Sequence, residues 1–530
     1  MLGVEKVGIN DNYFLLGGDS IKSIQIVSRL ARYNRKLQVK HFMLYPTIAE
    51  CAQYMEYIED KKTCQDPVAG ELPLTPIQRW FFEQSFTEPN HWNQSMMLYR
   101  EQGWNPELVD KVFHRLVAHH DALRMRFVRE SGSVRQINAG IEGSHFLLEV
   151  CKVGKDETEA EIERLANMLQ AKMKLEEALV RLGLYQTEDG DHLLIAIHHL
   201  VVDGVSWRIL LEDFMHLYDA MLKDEPASLP EKTDSYMEWS RKLVEPATLA
   251  KLAAEKDYWR DVEKQAAQLS YAGRRPCAIA DSRTAGFQLN EAMTRKLLTE
   301  ANRAYHTEVT DLLLTALALA YGERSDEGVA IHLEGHGREE FMEGMDLTRT
   351  VGWFTSIYPV VLPAPASEPG ETVPVIKELI RNIPNKGAGY SILKYAGAAS
   401  QDNPIPSGFQ PEAVFNYLGQ FGTSASSGGF DPSPMPMGSL INELNSMTHL
   451  QEWNCVVSEG RFQLTFRYDP SAMGDSEAIQ LLESYSRHLQ ALIEHCLAQD
   501  TEQFTPSDFS DDDLTFEELD EISDMLRKLE

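Results

Sequence analysis

The sequence predicts a small all-α domain followed by a larger α/β domain that is divided into two halves. Apolar residues recur at helical spacing in residues 1–60, at Ile21, Ile24, Ile26, Val27 and Leu30. After Leu74, helical stretches alternate with β-like apolar runs at 192–202, 328–333 and 461–468. A basic, turn-rich stretch at 260–285 then separates the α/β region into halves, which we place at 73–265 and 266–506.

Composition and charge limit the partners and the compartment. The chain has 530 residues and a formal net charge of -31 at pH 7, and a protein this acidic repels phosphate backbones and anionic lipid. We therefore expect no nucleic acid and no membrane as partners. The six cysteines form no Cys-x-x-Cys pair, which indicates a reducing compartment. Residues 1–14 lack a basic segment followed by an apolar one, and no run of about 18 apolar residues occurs, so we expect a cytoplasmic protein.

Residues 1–60 contain helix signals in a regular order. A Gly17-Gly18 break is followed by Asp19 and Ser20, which occupy the position of an N-cap for the next helical stretch. A second helical turn resumes after Pro46. Residues 61–72 are polar with proline and glycine, which predicts a linker. Much later, residues 422–439 are rich in Gly, Ser and Pro and predict a mobile loop.

Ser20 carries the first chemical signal. A serine that opens a helix lies where backbone N–H groups favour a phosphodiester, although on the local residues alone an ordinary N-cap explains it equally well. The whole stretch 11–30, DNYFLLGGDSIKSIQIVSRL, resembles the attachment motif of acyl and peptidyl carrier proteins. The resemblance implies a peptidyl carrier domain at 1–60, with 4′-phosphopantetheine on Ser20 beside Gly18 and Asp19. Carrier domains usually begin with one more helix ahead of this region, so we expect a helical bundle with a truncated first helix.

A histidine pair carries the second signal. His198 and His199 follow an apolar β-like run, and Asp203 and Gly204 precede a helical stretch. A histidine at the end of a strand can act as general acid or base near neutral pH, and Asp203 can hold the loop or the ring. A satisfied pair of core histidines and a metal site of two histidines and an aspartate remain open alternatives. The spacing HHxxxDG is similar to the signature of the condensation-domain superfamily of peptide synthetases, and this resemblance implies a site without metal.

Six further blocks resemble those of epimerization domains of non-ribosomal peptide synthetases, in the same order over residues 72–506. They are PIQRWF (76–81), DLLLTA (311–316), EGHGRE (334–339), RTVGWFTSIYP (349–359), PNKGAGY (384–390) and FNYLG (415–419). Each block alone has a plainer explanation, such as a polar surface turn or an edge strand. We interpret Trp80, Phe81, Trp353 and Phe354 as core or cleft wall. Taken together, the blocks resemble the first synthetases of gramicidin S or tyrocidine assembly.

The resemblance carries expectations about fold and chemistry. It implies an epimerization domain at 73–506, built of two chloramphenicol-acetyltransferase-like subdomains in a V shape. The implied reaction inverts the α-carbon (L to D) of an aminoacyl or peptidyl thioester on the arm of Ser20. His199 and Glu334 would be the acid/base pair, and Tyr417 would donate a proton or a hydrogen bond to the enolate. Supporting roles would fall to His198, Asp203, Arg338 and Asn416, with Asp203 holding the His199 loop.

Two rival functions are compatible with part of the pattern. A condensation domain that forms peptide bonds would share HHxxxDG, but it is not expected to carry EGHGRE and FNYLG together. A non-catalytic docking module is not expected to retain His199, Glu334 and Tyr417. Exchange of the substrate α-proton with heavy water distinguishes an epimerase from both.

The C-terminal segment at 507–530 predicts a partner. Leu519, Ile522, Leu526 and Leu529 would share one face of an acidic helix that Ser507 or Ser510 can cap. The segment resembles the donor docking helix of synthetases that pass their product to a separate chain. This implies a downstream condensation domain on another synthetase, in addition to an upstream adenylation domain and a phosphopantetheinyl transferase. The amino acid, its length as a single residue or a peptide, and a one-base or two-base mechanism stay open.

Overall fold

The computed structural model describes residues 2, 6–31, 33, 35–57, 63–130, 132–155, 158–269, 274–339, 342, 344–365, 369–395, 410–421 and 431–509. Its α-helices are α1 (Ser20–Ala31), α2 (Val39–Leu44), α3 (Ile48–Cys51), α4 (Pro76–Glu83), α5 (Pro106–His119), α6 (Thr158–Gln170), α7 (Gly204–Leu222), α8 (Tyr236–Leu243), α9 (Pro246–Leu252), α10 (Lys256–Gln268), α11 (Glu291–Leu298), α12 (Val309–Gly322), α13 (Pro369–Arg381), α14 (Ala388–Tyr395) and α15 (Asp475–Leu497).

Its β-strands are β1 (Arg35–Lys36), β2 (Glu56–Tyr57), β3 (Gly70–Leu72), β4 (Asn93–Arg100), β5 (Met125–Glu130), β6 (Ser133–Asn138), β7 (Leu147–Lys152), β8 (Val180–Thr187), β9 (Gly190–His198), β10 (Arg283–Gln288), β11 (Val329–Gly335), β12 (Ser356–Leu362), β13 (Ala413–Phe421), β14 (Asp431–Pro432), β15 (Gln451–Ser458) and β16 (Arg461–Tyr468). Among the described residues, no helix is both long enough and apolar enough to cross a membrane.

The N-terminal domain packs α1, α2 and α3 around a small core that contains Tyr13, Val27 and Phe42. Asp19 caps α1, because its Oδ1 accepts the backbone N–H of Lys22 at 2.6 Å. The predicted N-cap is therefore Asp19, and Ser20 is the first residue of the helix. Gly18 has no room for a side chain, since a Cβ there would lie 2.4 Å from the Tyr13 ring. The two glycines thus let the chain turn tightly into α1.

The first α/β half is built on a five-stranded sheet in the order β14-β4-β9-β8-β7. β9 pairs with β4 and β8 in antiparallel fashion, and every residue of β9 is buried. This agrees with the continuous apolar run in the sequence. A three-stranded sheet, β3-β6-β5, lies in the same half.

The second half is built on a six-stranded sheet in the order β10-β16-β15-β13-β11-β12. The two central pairs, β11 with β13 and β13 with β15, are parallel, and the outer pairs are antiparallel. Helix α12 is buried along almost its whole length, so it serves as a core helix of this half. The predicted fold class, a small helical domain followed by α/β halves with separate sheets, is confirmed; the N-terminal domain also contains one short antiparallel pair, β1 with β2.

Three predicted segments differ from the structure: the linker, the boundary between the two halves and the mobile loop. The last part of the predicted linker forms β3, which pairs with β6, so the linker is shorter than 61–72. The predicted boundary at 265/266 falls inside α10, and that helix lies on the second half, where Trp259 contacts Tyr358 and Tyr390. Within the predicted mobile loop at 422–439, Asp431 and Pro432 form β14 and pair with β4 of the first half; residues 422–430 lie outside the described residues.

The segment after β14 continues along the first half. The backbone N–H of Ser433 donates to the Met97 carbonyl at 2.9 Å, and Asn93 N–H donates to the Leu440 carbonyl at 2.8 Å. The side chain of Asn445 is bonded to the backbone of Glu88. The second half therefore lends a strand and an edge segment to the sheet of the first half.

Candidate functional site

A cavity of about 260 Å³ lies between the two α/β halves and the start of α1. The first half contributes the β9–α7 turn with His199, and the second half contributes β11 with Glu334 and β13 with Tyr417. Gly18 and Asp19 of the N-terminal domain line the same cavity, and we call the side that they line the mouth. The structure thus brings together residues that the sequence separates by more than half its length.

His199 has one nitrogen fixed and the other directed at a polar side chain. Its Nδ1 lies 2.8 Å from the Val202 carbonyl, which accepts a hydrogen only if Nδ1 is protonated. Nε2 then carries the lone pair and accepts from the Gln94 amide at 2.9 Å. The ring packs on Trp353 with centroids 4.4 Å apart. Burial lowers the pKa of His199, so the neutral imidazole predominates at neutral pH.

His198 is a core residue. It is fully buried, its Nε2 lies 2.9 Å from the Pro89 carbonyl, and its Nδ1 accepts the Leu200 N–H at 3.2 Å. Burial lowers its pKa to about 3. The structure thus gives His198 partners that fix the turn, while only His199 lines the cavity.

Asp203 and Arg338 form a buried ion pair that joins the two halves. Arg338 donates from both terminal nitrogens to the Asp203 carboxylate, at 3.0 and 3.3 Å. Asp203 also accepts the backbone N–H of Ser206 at 2.7 Å, which caps α7, and that of Phe354 at 3.1 Å. The Arg338 guanidinium stacks over the Phe354 ring at 3.9 Å. Arg338 is therefore turned towards Asp203, and the pair holds the turn that carries His199.

Glu334 and Asn416 lie side by side on neighbouring parallel strands. The register of β11 with β13 aligns Leu333 with Phe415, so the next residues are adjacent. Asn416 Nδ2 donates to Glu334 Oε2 at 2.9 Å. Burial, with a smaller contribution from the Glu452 carboxylate, raises the pKa of Glu334 to about 7. This carboxyl can both accept and release a proton near neutral pH.

Tyr417 lies just before an irregularity in β13. The register with β15 shifts between Tyr417 and Gln420, and Gly419 has a φ of 75°. The Tyr417 hydroxyl is buried and has no hydrogen-bond partner among the described residues. Burial raises its pKa above the ordinary value, so the phenol keeps its proton at neutral pH. It is a donor that is available for a ligand in the cavity.

The residues at the mouth fit a phosphopantetheine arm. Ser20 is the first residue of α1, where backbone N–H groups point out of the helix, and the two residues before it line the cavity. An arm attached at Ser20 would start at the mouth of the cavity that the residues described above line. The arm would supply a thioester whose carbonyl acidifies the neighbouring Cα–H.

The three residues of HHxxxDG do not converge as metal ligands, because His198, His199 and Asp203 each have a different partner. In the part of the chain that the structure describes, one other group could hold a metal: the ligand atoms of His119, His120 and Asp213 lie within 4.8 Å of one another. None of these lines the cavity, and the Arg349 guanidinium pairs with Asp213, so a cation already occupies one side of that carboxylate.

Sequence reasoning missed several residues that complete the cavity. Gln94 contacts His199, and the Trp207 indole donates to the Gln94 carbonyl oxygen at 2.8 Å, which orients the amide. Arg208 and Lys386 add two cations to the lining. The only signal for Lys386 was its place in the PNKGAGY block, and Gln94 had none, because its role depends on the pairing of β4 with β9.

Comparison with known proteins identifies both parts of the chain. A condensation domain model matches residues 68–515, and a phosphopantetheine attachment site model matches residues 1–55. Surfactin synthase subunit 1 of Bacillus subtilis (strain 168) is 43% identical over 533 residues, which cover 99% of this chain and 15% of that protein. Gramicidin S synthase 1 of Brevibacillus brevis is 42% identical over 546 residues, which cover 99% of this chain and 49% of that protein. The chain thus spans about half, or less, of the length of these curated relatives.

Solved structures agree with this assignment. The epimerization domain from the third module of tyrocidine synthetase B superposes with a TM-score of 0.78 at 39% identity, covering 83% of this chain and 100% of that one. The SgcC5 protein from Streptomyces globisporus shares the fold, with a TM-score of 0.61 at 17% identity, covering 80% of this chain and 99% of that one. The predicted two-subdomain fold is confirmed, and the attachment domain implies covalently bound 4′-phosphopantetheine. The chain belongs to the condensation-domain family of enzymes found in non-ribosomal peptide synthetases, and it carries a phosphopantetheine attachment domain ahead of its condensation-type domain.

Proposed function

We propose that this chain inverts the α-carbon of an aminoacyl or peptidyl group held as a thioester on the arm of Ser20. The observation that carries the proposal is the single cavity lined by His199 from one half and Glu334 from the other. Inversion at a carbon requires two proton carriers, because a proton leaves one face and another arrives at the opposite face, and here one carrier comes from each half. The 39% identity to an epimerization domain supports the same reaction.

The protonation states of His199 and Glu334 favour a two-base mechanism. The pKa of Glu334 is about 7 and that of His199 is lowered, so a proton shared by this pair resides mainly on Glu334 near neutral pH. In the L-to-D direction, His199 Nε2 takes the Cα proton and Glu334 delivers its proton to the opposite face. The return reaction starts from imidazolium and carboxylate. Asn416 holds the Glu334 carboxyl through its 2.9 Å hydrogen bond.

The enolate that forms between the two proton transfers needs a donor. Tyr417 is a neutral phenol whose hydroxyl has no partner among the described residues, so it can donate to the thioester oxygen as negative charge develops there. Burial of the hydroxyl strengthens that hydrogen bond, because an electrostatic interaction is larger where the local dielectric constant is low. Asp203 and Arg338 act by holding the turn that carries His199.

The test is an exchange experiment on the loaded protein. Ser20 is loaded with an L-aminoacyl-pantetheine, the protein is incubated in heavy water, and the thioester is cleaved for analysis of chirality and deuterium at Cα. We expect a D/L mixture with label at Cα for the wild type. Glu334→Gln should lose the D-product because no proton reaches the opposite face, and His199→Ala should lose both the D-product and exchange because the L-face proton is not removed. The control is Arg135→Gln, which also changes a charge but lies outside the cavity lining, with 41% of the Arg135 side chain exposed.

The alternative outcome is equally definite. A carrier shown to be loaded that returns unlabelled L-product would refute the epimerase. Peptide-bond formation with a second carrier-bound substrate would then point to condensation, the reaction named by the family model.

The neighbouring partners follow from the same proposal. An upstream adenylation domain and a phosphopantetheinyl transferase would load Ser20, and a downstream condensation domain on a separate synthetase would bind residues 507–530. Of this segment, residues 510–530 lie outside the described residues. Deletion of 511–530 is expected to leave exchange at Cα intact and to abolish transfer to the downstream synthetase. Unchanged transfer would rule out docking through this segment.

A further inference from the structure

Arg208 connects the two α/β halves at the mouth of the cavity. It lies in the second turn of α7, in the first half, and its Nη2 donates to the carbonyls of Leu418 and Gln420 in the second half, at 3.3 and 3.2 Å. These two carbonyls flank Gly419, where β13 departs from regular pairing with β15. The guanidinium is therefore held in a defined orientation beside the residues of β13 that follow Tyr417.

The charges around Arg208 come from both the N-terminal domain and the cavity. Asp19 and Asp203 are the carboxylates that act on it, and Tyr417 is the third group. Burial lowers the pKa of Lys22, and charge repulsion from Arg208 adds a smaller effect in the same direction, so the guanidinium lies within electrostatic reach of α1. Gly18, Asp19 and Arg208 line the same cavity. A cation of the cavity lining thus interacts electrostatically with both the attachment loop and Tyr417.

A phosphodiester on Ser20 would add a negative charge next to Asp19. The Asp19 carboxylate is already engaged in capping α1, through its 2.6 Å bond to the Lys22 N–H, and it would repel the phosphate. Arginine is suited to offset this repulsion, since its planar group presents several N–H donors to phosphate oxygens while other N–H groups are bonded elsewhere. The Lys22 ammonium donates to the Gly17 carbonyl at 2.7 Å and thereby lies on the carrier side of the mouth.

We propose that Arg208 binds the phosphodiester of the arm on Ser20. By holding the phosphate, Arg208 sets the depth to which the thioester reaches past Tyr417. This makes Arg208 a positioning residue. The inference rests on the proposed function only in that the arm of Ser20 enters this cavity. The phosphodiester of the arm is a monoanion whose pKa lies far below neutral pH. Its contact with Arg208 is therefore constant across the pH range in which the protein is assayed.

The experiment observes the phosphate itself, without aminoacyl cargo. The ³¹P resonance of the holo-protein is recorded in the folded state and after unfolding in urea, for the wild type, for two variants of Arg208 and for one control variant. Arg208→Gln keeps an amide that can donate to a β13 carbonyl but has no charge, and Arg208→Lys keeps the charge but cannot bond both carbonyls. Lys386→Gln removes another cation of the cavity lining as the matched control, and near-ultraviolet circular dichroism checks the fold of each.

We expect the folded wild type to have a shifted and broadened ³¹P line, Arg208→Gln to lose more than half of that shift, and Arg208→Lys and Lys386→Gln to retain most of it. A wild-type line at the unfolded position would overturn the proposal. So would an Arg208→Gln line at the wild-type position, or an equal loss in Arg208→Gln and Arg208→Lys, since the carbonyl contacts would then matter rather than the charge. If Cα exchange is absent while the ³¹P line responds to Arg208, the proposed reaction fails and the phosphate site stands.

Discussion

Removal of Asp203 tests how the two halves are held at the active-site turn. Only 6% of the Asp203 side chain and 2% of the Arg338 side chain are exposed. Loss of one partner from a buried pair leaves the other charge without compensation, which typically costs about 3–5 kcal/mol. Asp203→Ala also removes the cap of α7, worth about 1 kcal/mol. We therefore expect Asp203→Ala to destabilise the protein by about 4–6 kcal/mol.

Arg338→Met is expected to cost less, about 3 kcal/mol, because Asp203 keeps the N–H donors of Ser206 and Phe354. The double variant should cost less than the two single variants together, since neither charge is then stranded. We expect a coupling energy of about 2–3 kcal/mol, measured from urea unfolding curves followed by tryptophan fluorescence. Additivity of the two single changes within about 0.5 kcal/mol would refute the argument that the pair acts as one buried unit.

Three further predictions concern the proton carriers and the backbone beside them. The rate of L-to-D conversion should fall as pH rises through about 7, because Glu334 then loses the proton that it delivers. Glu452→Gln should move this fall to lower pH, because it removes a negative charge that raises the Glu334 pKa. A rate that rises through this range would contradict the role of Glu334 as the proton donor. Tyr417→Phe should slow exchange about 100-fold, measured in heavy water, while the melting temperature stays unchanged, because its hydroxyl bonds to no described residue. Gly337→Ala should destabilise the protein by about 3 kcal/mol or more in thermal unfolding, since φ is 66° and a Cβ would clash with the Phe354 carbonyl oxygen. Gly344→Ala, at φ 76° and with no described atom within 4 Å of its Cβ, should cost only about 1 kcal/mol. Equal losses would show that small shifts relieve the clash at Gly337.

Local pattern predicted the elements that carry the site. The run at 461–468 has the bounds of β16, and the turn from β9 into α7 lies where HHxxxDG predicts it. These features depend on alternation, on helical spacing and on an N-cap, all of which involve residues close in sequence. The prediction that Asp203 holds the His199 turn also rests on local sequence, and the structure supplies its partners.

What the sequence could not predict depends on register and on distant pairing. Gln94 faces His199 because β4 pairs with β9 in one register out of several that apolar strands allow. Arg338 meets Asp203 only after the two halves pack together, and Arg208 reaches β13 only because that strand is irregular. The sequence signal at 422–439 was flexibility, since two residues of strand within a Gly/Ser/Pro-rich stretch have no periodicity to detect.

The pairing of β14 with β4 has a consequence for biosynthesis. While a ribosome makes the chain, the first half is complete long before Asp431 and Pro432 emerge, so the edge of its sheet at β4 stays open during that time. An open strand edge can pair with another nascent chain, which is a common route to aggregation. The final closure of the first half is therefore a late, non-local event, and it makes completion of the first half dependent on synthesis of the second.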